Sequence, residues 1–215
     1  MRHYVALPRD FYLRETVEVA KGLLGKSLVR HLRERVYLEG RIVEVEAYRG
    51  RDDPASHAYR GPTDRNKIMF GKVGLAYIYL IYGFHCCLNV SARERSEEAG
   101  AVLLRAIEPI EGTSHMLRNR ELEDDPQSMK RMKQGMPPVQ ITNGPGKLTK
   151  AMKITRKLNG EDFTNDASEI FICNQPREDA RLEICSTPRI GVNKGKEKLW
   201  RFCIKNSAFI SRTSS

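Results

Sequence analysis

Residues 41–50, RIVEVEAYRG, constrain the fold more than any other stretch of this chain. Strand side chains alternate between faces, so Val43 and Val45 fall on one side and Glu44, Glu46 and Tyr48 on the other. A strand that gives half its surface to ionisable groups has two readings. It is an edge strand with a solvated face, where glutamates are common, or it is one wall of a site. Two carboxylates beside an aromatic ring suit stacking of a flat ligand and acid or base chemistry on it.

With 215 residues and no Pro/Gly/Ser-rich linker, residues 1–215 are expected to form one domain around one sizeable core. Lys plus Arg number 37 against 27 Asp plus Glu, a formal charge of +10. That surface favours a polyanionic partner, although charge alone does not single out nucleic acid. Neither MRHYVALPRDFYL nor any later segment has the apolar run of a signal peptide or a membrane span. The expectation is an intracellular protein without membrane attachment, cytoplasmic, or nuclear in a eukaryote. Five cysteines without an export signal read as free thiols. His85, Cys86 and Cys87 are adjacent, but neighbouring strand residues face opposite ways and no C-x-x-C pair completes a zinc site. No metal and no other cofactor is expected.

Along the chain, Thr16, Ala20, Leu23 and Leu24 recur at helical spacing before Gly25. Strands are predicted near residues 27–32 and 37–48. A turn-rich loop follows over 51–71, long enough to imply a task, and it carries His57, Tyr59, Arg60, Arg65 and Asn66. Residues 75–92 read as a hairpin with Tyr82-Gly83 at its tip. Tyr77 is as consistent with a core tyrosine as with a stacking surface, whereas Tyr82 at a turn has little to pack against. Strand 101–109 is apolar except for Arg105, whose guanidinium needs an anionic partner. Glu44 and Glu46 are the candidates. A helix is predicted from Pro109 to about Leu122, a mobile loop over 123–142, and a further helix from residue 143. Gly146-Lys147 lacks the remaining residues of a phosphate-binding loop, though a glycine-rich helix start offers N–H groups to a DNA phosphate. The remainder reads as strands without a reactive cluster.

GRIVEVEAY, SHAYRGPTDRNKIMF, AYIYLIYGFHCCLNV, AVLLRAIEP, NGPGKL and TPRIGV occur in the order and spacing of the alkyladenine (3-methyladenine, methylpurine) DNA glycosylases. From about Phe11 to about Ile210 the chain resembles that family, without the extended N-terminal tail of some relatives. The resemblance implies Glu46 as the general base toward water, and Arg105 as the group holding that water and the nearby backbone. It implies Tyr48 as the floor beneath an extruded base, with His57 and Tyr79 on the other side and Tyr77 in the same pocket. Asn89 would disfavour guanine by crowding its exocyclic amine. Tyr82 would be the wedge that fills the gap left by the flipped nucleotide. The implied partner is double-stranded DNA containing damaged purines, met by a monomer.

The physics agrees. Extruding a base costs a few kcal/mol, a wedge replaces the lost stacking, and aromatic stacking returns about 1–3 kcal/mol per base. Methylation at N3 or N7 makes the purine cationic, adding a cation–π preference of about 0.5–2 kcal/mol. Glu46 is expected to serve both as base and as counter-charge to an oxocarbenium-like sugar, with Glu44 close enough for mutual repulsion. A neutral leaving base needs a proton from His57 or from water. No lysine is among the residues assigned to the pocket, so a monofunctional enzyme is expected rather than one forming a Schiff base. Two other classes stand beside this reading: a non-catalytic nucleic-acid-binding module, and a hydrolase using Cys and His. The expected fold is mixed α/β (α+β), one compact domain with a curved, largely antiparallel sheet flanked by helices and a projecting β-hairpin.

Overall fold

A computed structural model describes residues 4–32, 36–83, 85–174 and 182–211. Two short helices, α1 (Arg9–Tyr12) and α2 (Thr16–Leu23), lead into strands β1 (Ser27–His31) and β2 (Tyr37–Tyr48). The helical spacing of Thr16, Ala20 and Leu23 gives α2 a buried face, which packs against β2. The hairpin follows as β3 (Ala76–Ile81) and β4 (His85–Ser91), then β5 (Ala101–Glu111). Helices α3 (Thr113–Asn119), α4 (Pro126–Lys133) and α5 (Pro145–Ala151) come next, and β6 (Ile170–Cys173), β7 (Ile184–Thr187) and β8 (Arg201–Ile204) complete the described chain.

One sheet runs β3-β4-β5-β2-β1-β6, with β8 joined to β2 and β7 to β8. All the strand pairings are antiparallel. The edge-strand alternative for β2 is therefore overturned: β2 is the strand from which the sheet branches. Its first half pairs with β1, Glu44–Glu46 pair with β8, and its other edge runs along β5. Register shifts around Ile42, Glu44 and Val45 mark the irregularity that makes this possible, because a bulge bends a strand and re-aims its side chains. Here the bend turns the carboxylates of β2 away from solvent. The sheet curls around a core that includes Leu23, Leu28, Val43, Leu104, Ile107, Leu148, Phe163 and Phe171. A satellite cluster of Ala58, Met69, Tyr77, Ala99 and Ala101 anchors the long loop to the sheet.

Two expectations need correction. Pro109 does not end its strand; β5 continues to Glu111 and α3 starts at Thr113. Pro109 lies opposite Gly40 beside a register shift, where a missing N–H is tolerated. Gly40 belongs there because a Cβ would stand 2.6 Å from Ile107 Cδ1. Residues 123–142, expected as a mobile loop, contain α4. Asp125 caps it by accepting from the Ser128 N–H at 2.7 Å, Pro126 occupies its first turn, and Gln140 Nε2 closes onto Asp125 at 2.9 Å.

Candidate active site

The polar wall of the site grows from the bend in β2. Glu44 and Glu46 are both 0% exposed. Arg105, on the neighbouring strand, reaches both: Nε donates to Glu44 Oε1 at 2.9 Å and Nη1 to Glu46 Oε2 at 3.1 Å. Burial alone would lower the pKa of Arg105, but Glu46 and Glu44 outweigh it and hold the guanidinium above its ordinary value. The two carboxylates have different neighbours. Glu44 also accepts from Arg201 Nε at 2.7 Å and from both the N–H and the hydroxyl of Ser211, each at 2.6 Å. Three of its four donors converge on Oε1, and the Ser211 N–H bonds Oε2. Two guanidiniums offset the mutual repulsion expected of the pair.

Glu46 accepts from the Tyr48 hydroxyl at 2.8 Å on Oε2 and from the Ile190 N–H at 2.8 Å on Oε1. With Arg105 on Oε2, these bonds leave a lone pair on Oε1. Burial, then the negative charge of Glu46, push the Tyr48 hydroxyl well above its ordinary pKa, so it stays a donor.

The aromatic wall is built by the hairpin and the loop. Tyr77 is 1% exposed, a core ring whose hydroxyl lies 2.9 Å from His57 Nδ1. The core reading of Tyr77 holds: its ring anchors the satellite core, and its hydroxyl contacts His57. Burial raises Tyr77 to about 12, so its hydroxyl keeps its proton beside His57. Loss of hydration and the Arg65 charge lower the pKa of His57, so the imidazole is neutral at neutral pH. Tyr79 meets His57 edge to face at 4.6 Å. Asn89 is buried and donates to the Tyr77 carbonyl at 2.9 Å, which fixes its amide. Tyr82 stands at the tip with φ 53, 84% exposed.

These residues enclose a cavity of about 490 Å³, walled by Tyr48, His57, Tyr77, Tyr79 and Asn89, with Tyr82 at its rim and Arg105 and Ile190 on the polar side. Glu46 contributes no surface of its own; it lies one layer behind, bonded to three of the lining residues. Cys87 also lines the cavity. Burial pushes its thiol to about 12, which leaves it neutral and removes it as a nucleophile. Among the described residues no lysine lines the cavity and no cluster of three or more His, Cys, Asp or Glu could hold a metal. Among them, too, no helix is long and apolar enough to cross a membrane.

The methylpurine-DNA glycosylase family model matches residues 10–208. The chain is 48% identical over 210 residues to a candidate 3-methyladenine DNA glycosylase of Methanocella arvoryzae, covering 96% of each. It is 44% identical to one of Methanoculleus marisnigri, covering 97% of this chain and all of the relative, and 42% identical to one of Clostridium novyi, covering 96% and 98%. The chain belongs to the methylpurine-DNA glycosylase family. It is thus a monofunctional DNA glycosylase acting in the repair of alkylated purines, and the binding-module and Cys-His hydrolase readings fall away.

Within this family member, sequence reasoning missed four contributors. Arg65, named only as part of the loop, sits 5.2 Å over the Tyr79 ring. Ile190 supplies a backbone N–H, which no side-chain motif reveals. Arg189 and Arg201 lie in segments read as plain core strands. A signal for Arg189 was present: an arginine inside TPRIGV, flanked by Pro and apolar residues, poses the same question of burial as Arg105.

Proposed function

We propose that this glycosylase swings alkylated or deaminated purines out of duplex DNA into the 490 Å³ cavity and hydrolyses the N-glycosidic bond with a water activated by Glu46, leaving an abasic site. The observation that carries the reading is the buried carboxylate of Glu46. It is held by Tyr48, Arg105 and Ile190, keeps one lone pair, and stands directly behind an aromatic-walled cavity. A water lodged between Arg105 and Ile190 would give its proton to Glu46 and its oxygen to the anomeric carbon. The same carboxylate, in a site of low polarity, opposes the positive charge that grows on the sugar.

Tyr82, exposed at the tip, is suited to enter the stack and take the place of the extruded base. Tyr48 on one side and His57 with Tyr79 on the other supply stacking faces for any purine, while Asn89, fixed by its bond to Tyr77, checks the exocyclic group. With its pKa lowered, His57 is mostly neutral at neutral pH, so we assign the proton for a neutral leaving base to water.

The test is single-turnover base release from duplexes carrying one hypoxanthine or one 3-methyladenine. Glu46→Gln should slow base release by about 10²–10⁴-fold while still binding the lesion duplex. If binding is lost along with release, Glu46 is structural and the mechanism is wrong. Borohydride should trap no covalent protein–DNA adduct, since a Schiff base needs a lysine.

A further inference from the structure

Arg189 contributes nothing to the cavity surface, yet three parts of the site converge on it. Its Cζ lies 4.7 Å from the centroid of the Tyr48 ring and 5.3 Å from that of Trp200, so the guanidinium backs the ring that forms the cavity wall. The next residue is Ile190, whose N–H holds Glu46. Its guanidinium grips Asp53 with both arms, Nη1 to Oδ2 at 2.6 Å and Nη2 to Oδ1 at 2.7 Å. Asp53 is the root of the loop that carries His57: it accepts the N–H of Arg49 at 3.1 Å and of Ala55 at 3.2 Å. Nη1 also donates to the Ala47 carbonyl at 2.9 Å, between Glu46 and Tyr48.

The pair is deeply enclosed, Arg189 4% and Asp53 0% exposed. The backbone yields to admit it: Gly195 has φ +64, and a Cβ there would stand 3.0 Å from Arg189 Nη2. A buried ion pair is weak evidence for stability, because apolar groups of similar size often do as well, but its fork geometry fixes the relative positions of whatever it joins.

We propose that Arg189 is a positioning residue of this glycosylase, one that through Asp53, Ile190 and the back of Tyr48 sets the mutual placement of the stacking ring, the general base and the His57 loop. The proposal rests on the glycosylase reading of the cavity. Two variants of the full chain test it: Arg189→Lys, which keeps the charge and loses the fork, and Arg189→Met combined with Asp53→Asn, which removes both charges and leaves an amide oxygen for one of the two loop N–H groups, those of Arg49 and Ala55.

Affinity for a duplex carrying a stable abasic analogue, which has no base to stack, should stay within about threefold of native, since phosphate contacts dominate affinity. Single-turnover base release should slow by about 100-fold or more in both variants, the scale set by small misplacements of reacting groups. Binding of free hypoxanthine, followed by calorimetry, should weaken about tenfold. Release and hypoxanthine binding within threefold of native in folded variants would overturn the proposal, whatever the change in melting temperature. If the native chain releases no base, the glycosylase reading fails and hypoxanthine binding decides alone. Weaker binding in the variants then sustains the positioning role, equal binding overturns it, and no binding by the native chain removes both.

Discussion

The two walls of the cavity are built on opposite principles. The polar wall, from the β2 bend, β5 and Ile190, is backed by buried groups dense with bonds: Glu44 accepts four, Glu46 three, and Arg105 reaches both. The aromatic wall, from the hairpin and the long loop, ends in exposed rings; His57 has one bond and Tyr82 stands at a tip in a left-handed conformation. In the proposed reaction, bond making at a sugar carbon tolerates little displacement, which suits groups fixed in place. On the same proposal, recognition of several purines needs faces that accept more than one shape, which suits groups placed where the chain has room.

Damage to the two walls should therefore read out differently. The largest effect belongs to Glu46→Gln: base release should fall by about 10²–10⁴-fold, the usual contribution of a general base, with lesion binding retained in gel-shift titrations. Next comes Arg105→Ala. It leaves two buried carboxylates short of a partner, which costs about 3–5 kcal/mol, so the melting temperature should drop by roughly 6–20 °C for a chain of this size. Loss of less than about 1 kcal/mol would mean that the polar wall is not held together as described.

Tyr82→Ser should leave the melting temperature unchanged, because the side chain packs on nothing, and weaken lesion-duplex binding by about 5–150-fold, the equivalent of about 1–3 kcal/mol of stacking. A destabilised Tyr82→Ser protein would blur the contrast between the walls. The smallest effect concerns His57. Unfolded, its imidazole takes a proton near pH 6.5; folded, it does so only at lower pH. The unfolded state thus binds more protons as pH falls through 6.5, and native stability declines there. His57→Gln should flatten the fall in melting temperature below pH 6.5, measured from pH 8 to pH 5, and leave it unchanged above.

The aromatic wall was the more legible in sequence. The Tyr82-Gly83 tip, the tyrosine spacing of β3 and the loop bearing His57 are local patterns, and local patterns survive into the fold. The pairing of Arg105 with Glu44 and Glu46 was legible for a different reason: a lone guanidinium in an apolar strand demands an anion. The rest of the polar wall was not legible, because its contacts span the chain. Arg189 and Asp53 are 136 positions apart, and Ser211 and Glu44 are 167 apart. Nor does alternation along a strand tell an edge from a branch point, which is why β2 admitted a solvated reading. In residues 123–142 the run of charge hid a helix whose start, Asp125-Pro126, is a recognisable cap. Its apolar anchors are only Met129 and Met132.

Ser211 holds Glu44 through its backbone N–H and its hydroxyl, and it touches Arg105 as well at 3.3 Å. A nascent chain that has not yet been extended to residue 211 carries both carboxylates and the arginine without the cap that satisfies them. Closure of this polar knot therefore waits until residue 211 has been made, so a strand laid down early is completed only by a segment laid down much later.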